Sequence, residues 1–182
     1  PQAGYDASEQ CLSWLEPHQR KIRFLGNPQL DFPPARQEKN WVYMQKGEAL
    51  HLFYSFQPYV VLKMTDLKTL KFKTVIRQKL AFSRQRWFAD SMISWSANPV
   101  PYDEQHLLAI IHQRFTDKKN RGIFFQWAAL INKESLLPVK ISSRPLLRGG
   151  DCRGRLPGVI YVTAAIVREA DVVLFSGEGY YY

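Results

Sequence analysis

The sequence predicts an all-β fold, arranged as part of a β-propeller built from four-stranded antiparallel blades. Three observations carry this. Phe, Tyr, Trp, Val and Ile are plentiful, with aromatics at 14% of the chain, a composition suited to half-buried pleated surfaces. Short apolar runs alternate with polar turns along most of the length. One plan also recurs: a short first strand, a polar turn, then an apolar strand with a polar residue at its exit.

The chain in order supports each element. Residues 1–21 are polar and irregular, with a short helix expected over Glu9–Leu15 and stopped by Pro17. Ile22–Leu25 reads as a strand, Gly26-Asn27-Pro28 as a turn, and Gln29–Phe32 as a second strand broken by Pro33-Pro34. Trp41–Met44, Ala49–Ser55, Tyr59–Met64 and Leu70–Ile76 then form a meander, with turns at Gln45–Glu48 and Thr65–Lys68. Arg77–Asp90 is basic and aromatic, and reads as a loop or an irregular strand. Strands follow at Ser91–Trp95, His106–Arg114, Gly122–Ile131 and Pro138–Ser142. Arg144–Arg155 is rich in Gly and Arg and reads as a loop. The β-branched run Gly158–Val167 and the strand Val172–Glu178 close the pattern.

The repeated turns are Lys46-Gly47-Glu48, Asp103-Glu104-Gln105 and Arg168-Glu169-Ala170. They lie about 57 and then about 65 residues apart, the length of one four-stranded blade with insertions. The division that follows is 1–35 for the N-terminal segment with outer strands of a preceding blade, 36–90 and 91–150 for two blades, and 151–182 for the inner half of a last one. That is fewer than the four to eight blades of a closed ring.

Composition narrows the function classes. At 182 residues and 46% hydrophobic, the chain can bury a core. No apolar run approaches the roughly 18 residues of a membrane helix. The net charge of +9, from 25 Lys and Arg against 16 Asp and Glu, suits phosphate, an anionic sugar or nucleic acid. No nucleic-acid signature motif accompanies it. A soluble basic surface is the plainer reading, and a place in a larger assembly stays open. Cys11 and Cys152 fit no metal-ligand spacing, and the four His residues show no paired spacing. No metal is expected, and the cysteines read as unrelated thiols unless an oxidising compartment pairs them. The chain starts at Pro1 with neither Met nor signal-peptide pattern, so residues are expected to precede it. Compartment is left open.

The stretch Glu38-Lys39-Asn40-Trp41, followed by Tyr54-Ser55, Pro58 and Val60-Val61, resembles the later blades of five-bladed propeller glycosidases. So do Ser96–Tyr102 with the strand ending at His112, and the close from Pro157-Gly158-Val159 to Gly177-Glu178-Gly179. The chain is similar over roughly residues 20–180 to the mannoside phosphorylases of glycoside hydrolase family 130 and related proteins. The resemblance implies a sugar or phosphorylated-sugar site in the central funnel, no cofactor, and inorganic phosphate as a co-substrate. The family's early-blade Asp, in a Glu-Asp-Pro-Arg type motif, has no counterpart here. The chain is therefore expected to be the later part of such a fold, inactive alone unless another chain supplies the missing blades.

Within that frame Glu38 is the candidate acid. Glycoside cleavage uses two carboxylates, or one carboxylate with phosphate as the nucleophile, and Glu38 and Glu178 are the acids best placed by the repeat. Lys39, His112 and Arg114 would hold phosphate or sugar. Asn40 would hydrogen-bond a sugar hydroxyl or cap its strand. Tyr54 would contact ligand or fill the core, and the core is favoured for it and for Trp41. A His at the end of an apolar strand, as His112 is, is more often structural. The alternative function is a structural or interaction subunit that uses the basic surface, including contact with nucleic acid.

Overall fold

The computed structural model describes residues 10–35, 40–81, 92–116, 122–151, 159–169 and 171–177. These residues form β-strands joined by turns and short 3-10 segments, without an α-helix among them. The all-β prediction holds.

The first hairpin joins β1 (Leu12–Glu16) to β2 (Lys21–Gly26). A helix was expected over Glu9–Leu15; β1 stands there instead. Its backbone groups bond to β2 in the register Trp14↔Arg23 and Leu15↔Ile22, and this pairing outweighs a weak local helix preference. The reversal runs through a 3-10 turn at Pro17–Gln19 and Arg20, whose φ is 51°. The short β3 (Gln29–Leu30) leaves β2 and pairs in parallel with a strand of the next sheet.

That sheet is β4 (Val42–Lys46), β5 (Ala49–Ser55), β6 (Tyr59–Asp66) and β7 (Lys71–Gln78), an antiparallel meander in chain order with β3 beyond β7. Gly47 takes φ 58° in the β4–β5 turn, a conformation that suits glycine. β7 alternates, with Lys71, Lys73, Val75 and Arg77 exposed and Phe72 buried. Its exposed Lys71, Lys73 and Arg77 are part of the basic surface.

The second sheet is β8 (Met92–Pro101), β9 (His106–Thr116), β10 (Gly122–Asn132) and β11 (Pro138–Ile141), with β12 (Leu147–Arg148) also on β10. β8 runs well past the expected end at Trp95. It is an edge strand, and register shifts at Trp95/Ala97 and Ala97/Val100 accommodate Pro99 and Pro101, which an edge tolerates. The last pair is β13 (Tyr161–Val167) with β14 (Val172–Gly177).

The sheets stack face to face. Between the first four-stranded sheet and the second lies the largest core, which includes Phe53, Phe56, Tyr59, Trp95, Ile111 and Trp127. Trp95, 1% exposed, is ringed edge-on by Phe53 at 5.3 Å, Phe56 at 5.0 Å and Tyr59 at 6.0 Å, the geometry that aromatic quadrupoles favour. Tyr59 Oη donates to the Leu136 carbonyl at 2.5 Å, and the Tyr43 amide donates to Asn98 Oδ1 at 3.0 Å, both across the two sheets. A second seam joins the second sheet to β13–β14 through Ala97, Leu108, Ile110, Val162 and Ala165. A third covers the far face of the first sheet, where Leu52, Val60, Leu62 and Phe72 meet Leu12, Leu30 and Phe32. β9 is buried on both faces because each face belongs to a different seam. Stacked antiparallel sheets of this kind form part of a propeller.

Candidate functional site

The seam between the second sheet and β13 changes character along β9. Leu108 and Ile110 face it as apolar residues. By strand alternation His112 and Arg114 continue the same face. There the seam opens into a cleft of about 150 Å³ lined by Asn40, Met92, Ser94, His112, Arg114, Phe124 and Tyr161. Register explains the grouping. Met92 and Phe124 flank Arg114, while Ser94 and Gln126 flank His112. Asn40 lies just before β4, Met92 starts β8 and Tyr161 starts β13. Three strands therefore begin at one cleft, β4 and β8 each at the edge of its sheet.

One wall is aromatic. His112 lies 5.3 Å from Tyr161 and 5.7 Å from Phe124, and Phe124 lies 4.8 Å from Tyr161. Behind it runs a chain of hydrogen bonds. Gln126 Nε2 donates to the Ile160 carbonyl at 2.6 Å, Ser96 Oγ donates to Gln126 Oε1 at 2.8 Å, and Ser96 Oγ meets His112 Nδ1 at 3.0 Å. Gln126 is fully buried and His112 is 5% exposed, so this chain keeps buried polar atoms satisfied. Gly122 leaves room for two of the lining side chains, Phe124 and Arg114. A Cβ there would stand 2.9 Å from Phe124 Cε2 and 3.2 Å from Arg114 Nε. Asn40 takes φ 61°, a left-handed backbone that Asn adopts more readily than most residues.

Of the residues singled out from the sequence, Asn40, His112 and Arg114 meet in this cleft. Tyr54 does not: its ring packs 5.1 Å from Phe32 and 5.5 Å from Trp41 on the far face of the first sheet. Glu38, Lys39 and Glu178 lie outside the described residues, as do Cys152 and most of the basic segment after Ala81. Cys11 is an exposed free thiol. Ser94, Phe124 and Tyr161, with Ser96 and Gln126 behind them, were missed. Gln126 left a signal, since it interrupts the apolar run of β10 and a buried amide there must have partners.

Three carboxylates outside the cleft are held below their usual range. The Thr74 backbone amide bonds Asp31, the Thr69 hydroxyl bonds Asp66, and the His106 ring bonds Asp103. A general acid needs the opposite shift, so these acids serve turns and strand junctions. No cluster of metal-ligand type occurs among the described residues. None of their helices is long and apolar enough to cross a membrane.

Among solved structures, β-1,2-mannobiose phosphorylase from Listeria innocua, in complex with β-1,2-mannobiose, matches with a TM-score of 0.66 at 14% sequence identity. The match covers 94% of this chain and 48% of that one, so the chain spans about half the length of that enzyme. No protein-family model and no curated protein matches the sequence. The architecture is thus that of a β-propeller, present in part. The protein whose fold it shares in this way is a phosphorylase of a mannose disaccharide.

Proposed function

We propose that this chain is a carbohydrate-binding propeller segment of the glycoside phosphorylase type. In this reading the cleft takes one mannose-type ring with a phosphate group beside it. The observation that carries the reading is the meeting of three strand starts at a cleft lined by Asn40, Ser94, His112, Arg114 and Tyr161, on a fold like that of a mannobiose phosphorylase. Its volume of about 150 Å³ is below the roughly 300–1,000 Å³ of sites for drug-sized ligands. One sugar ring with a phosphate at its side suits it better than a whole oligosaccharide.

The roles follow from side-chain chemistry. Phe124 and Tyr161 give an apolar wall for the C–H face of a sugar. Asn40 and Ser94 offer donors and acceptors to hydroxyls. Arg114 brings a fixed positive charge for phosphate. Glu38, two residues before Asn40 in the chain, is the proposed acid or sugar contact, with Lys39 and Glu178 as further ligand groups. The isolated chain is assigned binding rather than turnover.

Calorimetric titration of the full chain with mannose and β-1,2-mannobiose, each with and without inorganic phosphate, tests this. Saturable sugar binding that strengthens with phosphate and is lost in Glu38→Gln is expected. Sugar binding unchanged in Glu38→Gln would remove that residue from the site. No sugar or phosphate binding in the unaltered chain would overturn the reading.

A further inference from the structure

We infer that Ser96 and Gln126 are positioning residues that hold the neutral His112 ring as its Nδ1–H tautomer, so that its Nε2 can only accept a hydrogen bond. The direction of the relay is set at its far end. The Ile160 carbonyl only accepts, so the Gln126 atom 2.6 Å from it is the amide nitrogen. The Gln126 oxygen then faces Ser96 Oγ at 2.8 Å. Two lone pairs facing each other at that distance would repel, so the single Ser96 hydroxyl proton goes to Gln126. Ser96 has only lone pairs left for His112 Nδ1 at 3.0 Å, and the ring nitrogen must carry the proton.

Burial makes the arrangement binding. Gln126 and His112 are both more than nine-tenths buried, and water cannot readily replace a lost partner there. The second-row register, Ser94–His112–Gln126, keeps the amide beside the ring. Ile160, the residue just before β13, supplies the anchoring carbonyl. The relay therefore ties the tautomer of a cleft residue to the docking of β13 on the second sheet.

A consequence for ligand chemistry rests on the sugar-binding reading above. A group meeting Nε2 of the neutral ring must donate, as a sugar hydroxyl does and a phosphate dianion oxygen does not. In that reading His112 selects hydroxyl, and the anion falls to Arg114.

The test uses nitrogen-15 imidazole spectra of the unliganded full chain, recorded above the titration range of the histidines, with His112 assigned through His112→Asn. The expected result is an Nδ1–H ring favoured about tenfold over the other tautomer, the effect of one net hydrogen bond. Ser96→Ala should bring the two forms towards equal populations, and Ser96→Thr should keep the original bias. Amide spectra of each variant confirm the fold, and the unaltered protein is decisive by itself. An Nε2–H ring in the unaltered chain, or a bias that survives Ser96→Ala, would overturn the inference. Because no ligand is present, failure here is separate from failure of sugar binding.

Discussion

The two seams of the second sheet differ along their length. The seam towards the first sheet is apolar at its centre, where Phe53, Phe56, Tyr59 and Trp95 interlock. The seam towards β13 begins the same way at Leu108, Ile110 and Val162, then ends in His112, Arg114 and the cleft. Both seams use β9, whose alternate residues feed one or the other. The contrast extends to their histidines. By alternation on β5, His51 continues the Phe53 face, and it is buried with no hydrogen-bond partner for Nδ1 among the described residues. His112 is bonded to Ser96 through the same ring atom. The first seam holds its histidine through a backbone hydrogen bond at Ala49, whereas the second orients one through side chains.

The largest effect should come from breaking the dry seam. Trp95→Ala removes the ring at the centre of the aromatic cluster, and a loss of about 3–5 kcal/mol is expected for such a truncation. Urea denaturation should show it as a fall in midpoint, or as failure to fold. Arg114→Ala should leave most of the stability and weaken phosphate binding by tenfold or more, since a charge-assisted hydrogen bond contributes about 1.5–3 kcal/mol. Calorimetry reads that difference. Gly122→Ala sharpens the same point by pushing on Phe124 and Arg114 together. An overpacking cost of about 1–3 kcal/mol is expected, with sugar affinity falling alongside it.

Acid should reveal the burial of His51. Burial, then the charges of Lys63 and Lys46, push the His51 pKa down against a backbone hydrogen bond at Ala49. The folded state thus prefers neutral His51, while the unfolded chain takes up a proton near pH 6.5. Its contribution is intact above that value and is lost as pH falls towards the folded pKa. His51→Leu should flatten stability over this window, as measured by thermal denaturation at several pH values. The smallest effect is expected at the Lys46–Glu134 pair, 3.0 Å apart and solvent-exposed, where Lys46→Ala should cost no more than about 1 kcal/mol.

The strands were legible because their apolar runs are separated by turn residues, as at Gly47 and Asp103–Gln105. β1 was not, because its pairing with β2 is not written in the local pattern of Leu12–Glu16. The length of β8 was hidden by Pro99 and Pro101, residues that a central strand excludes and that stand here on a bulged edge. Asn40, His112 and Arg114 were legible as polar residues in or beside apolar strands. Ser94, Phe124 and Tyr161 were not, because only the register of three strands and the docking of β13 bring them to the same place. Tyr54 stands at the exit of β5, with its ring packed between Phe32 and Trp41, whereas His112, expected at a strand end, lies inside β9, which runs on to Thr116. Position at an exit does not decide whether a side chain meets solvent or core.

The most direct measurement is a nuclear magnetic resonance titration of the labelled full chain with mannose in the presence of inorganic phosphate. Saturable shifts are expected at Asn40, Ser94, His112, Arg114 and Tyr161, with Phe53 and Trp95 unmoved. Saturable shifts confined to other residues, or none at the cleft at saturating sugar, would contradict the assignment of this seam as the ligand site.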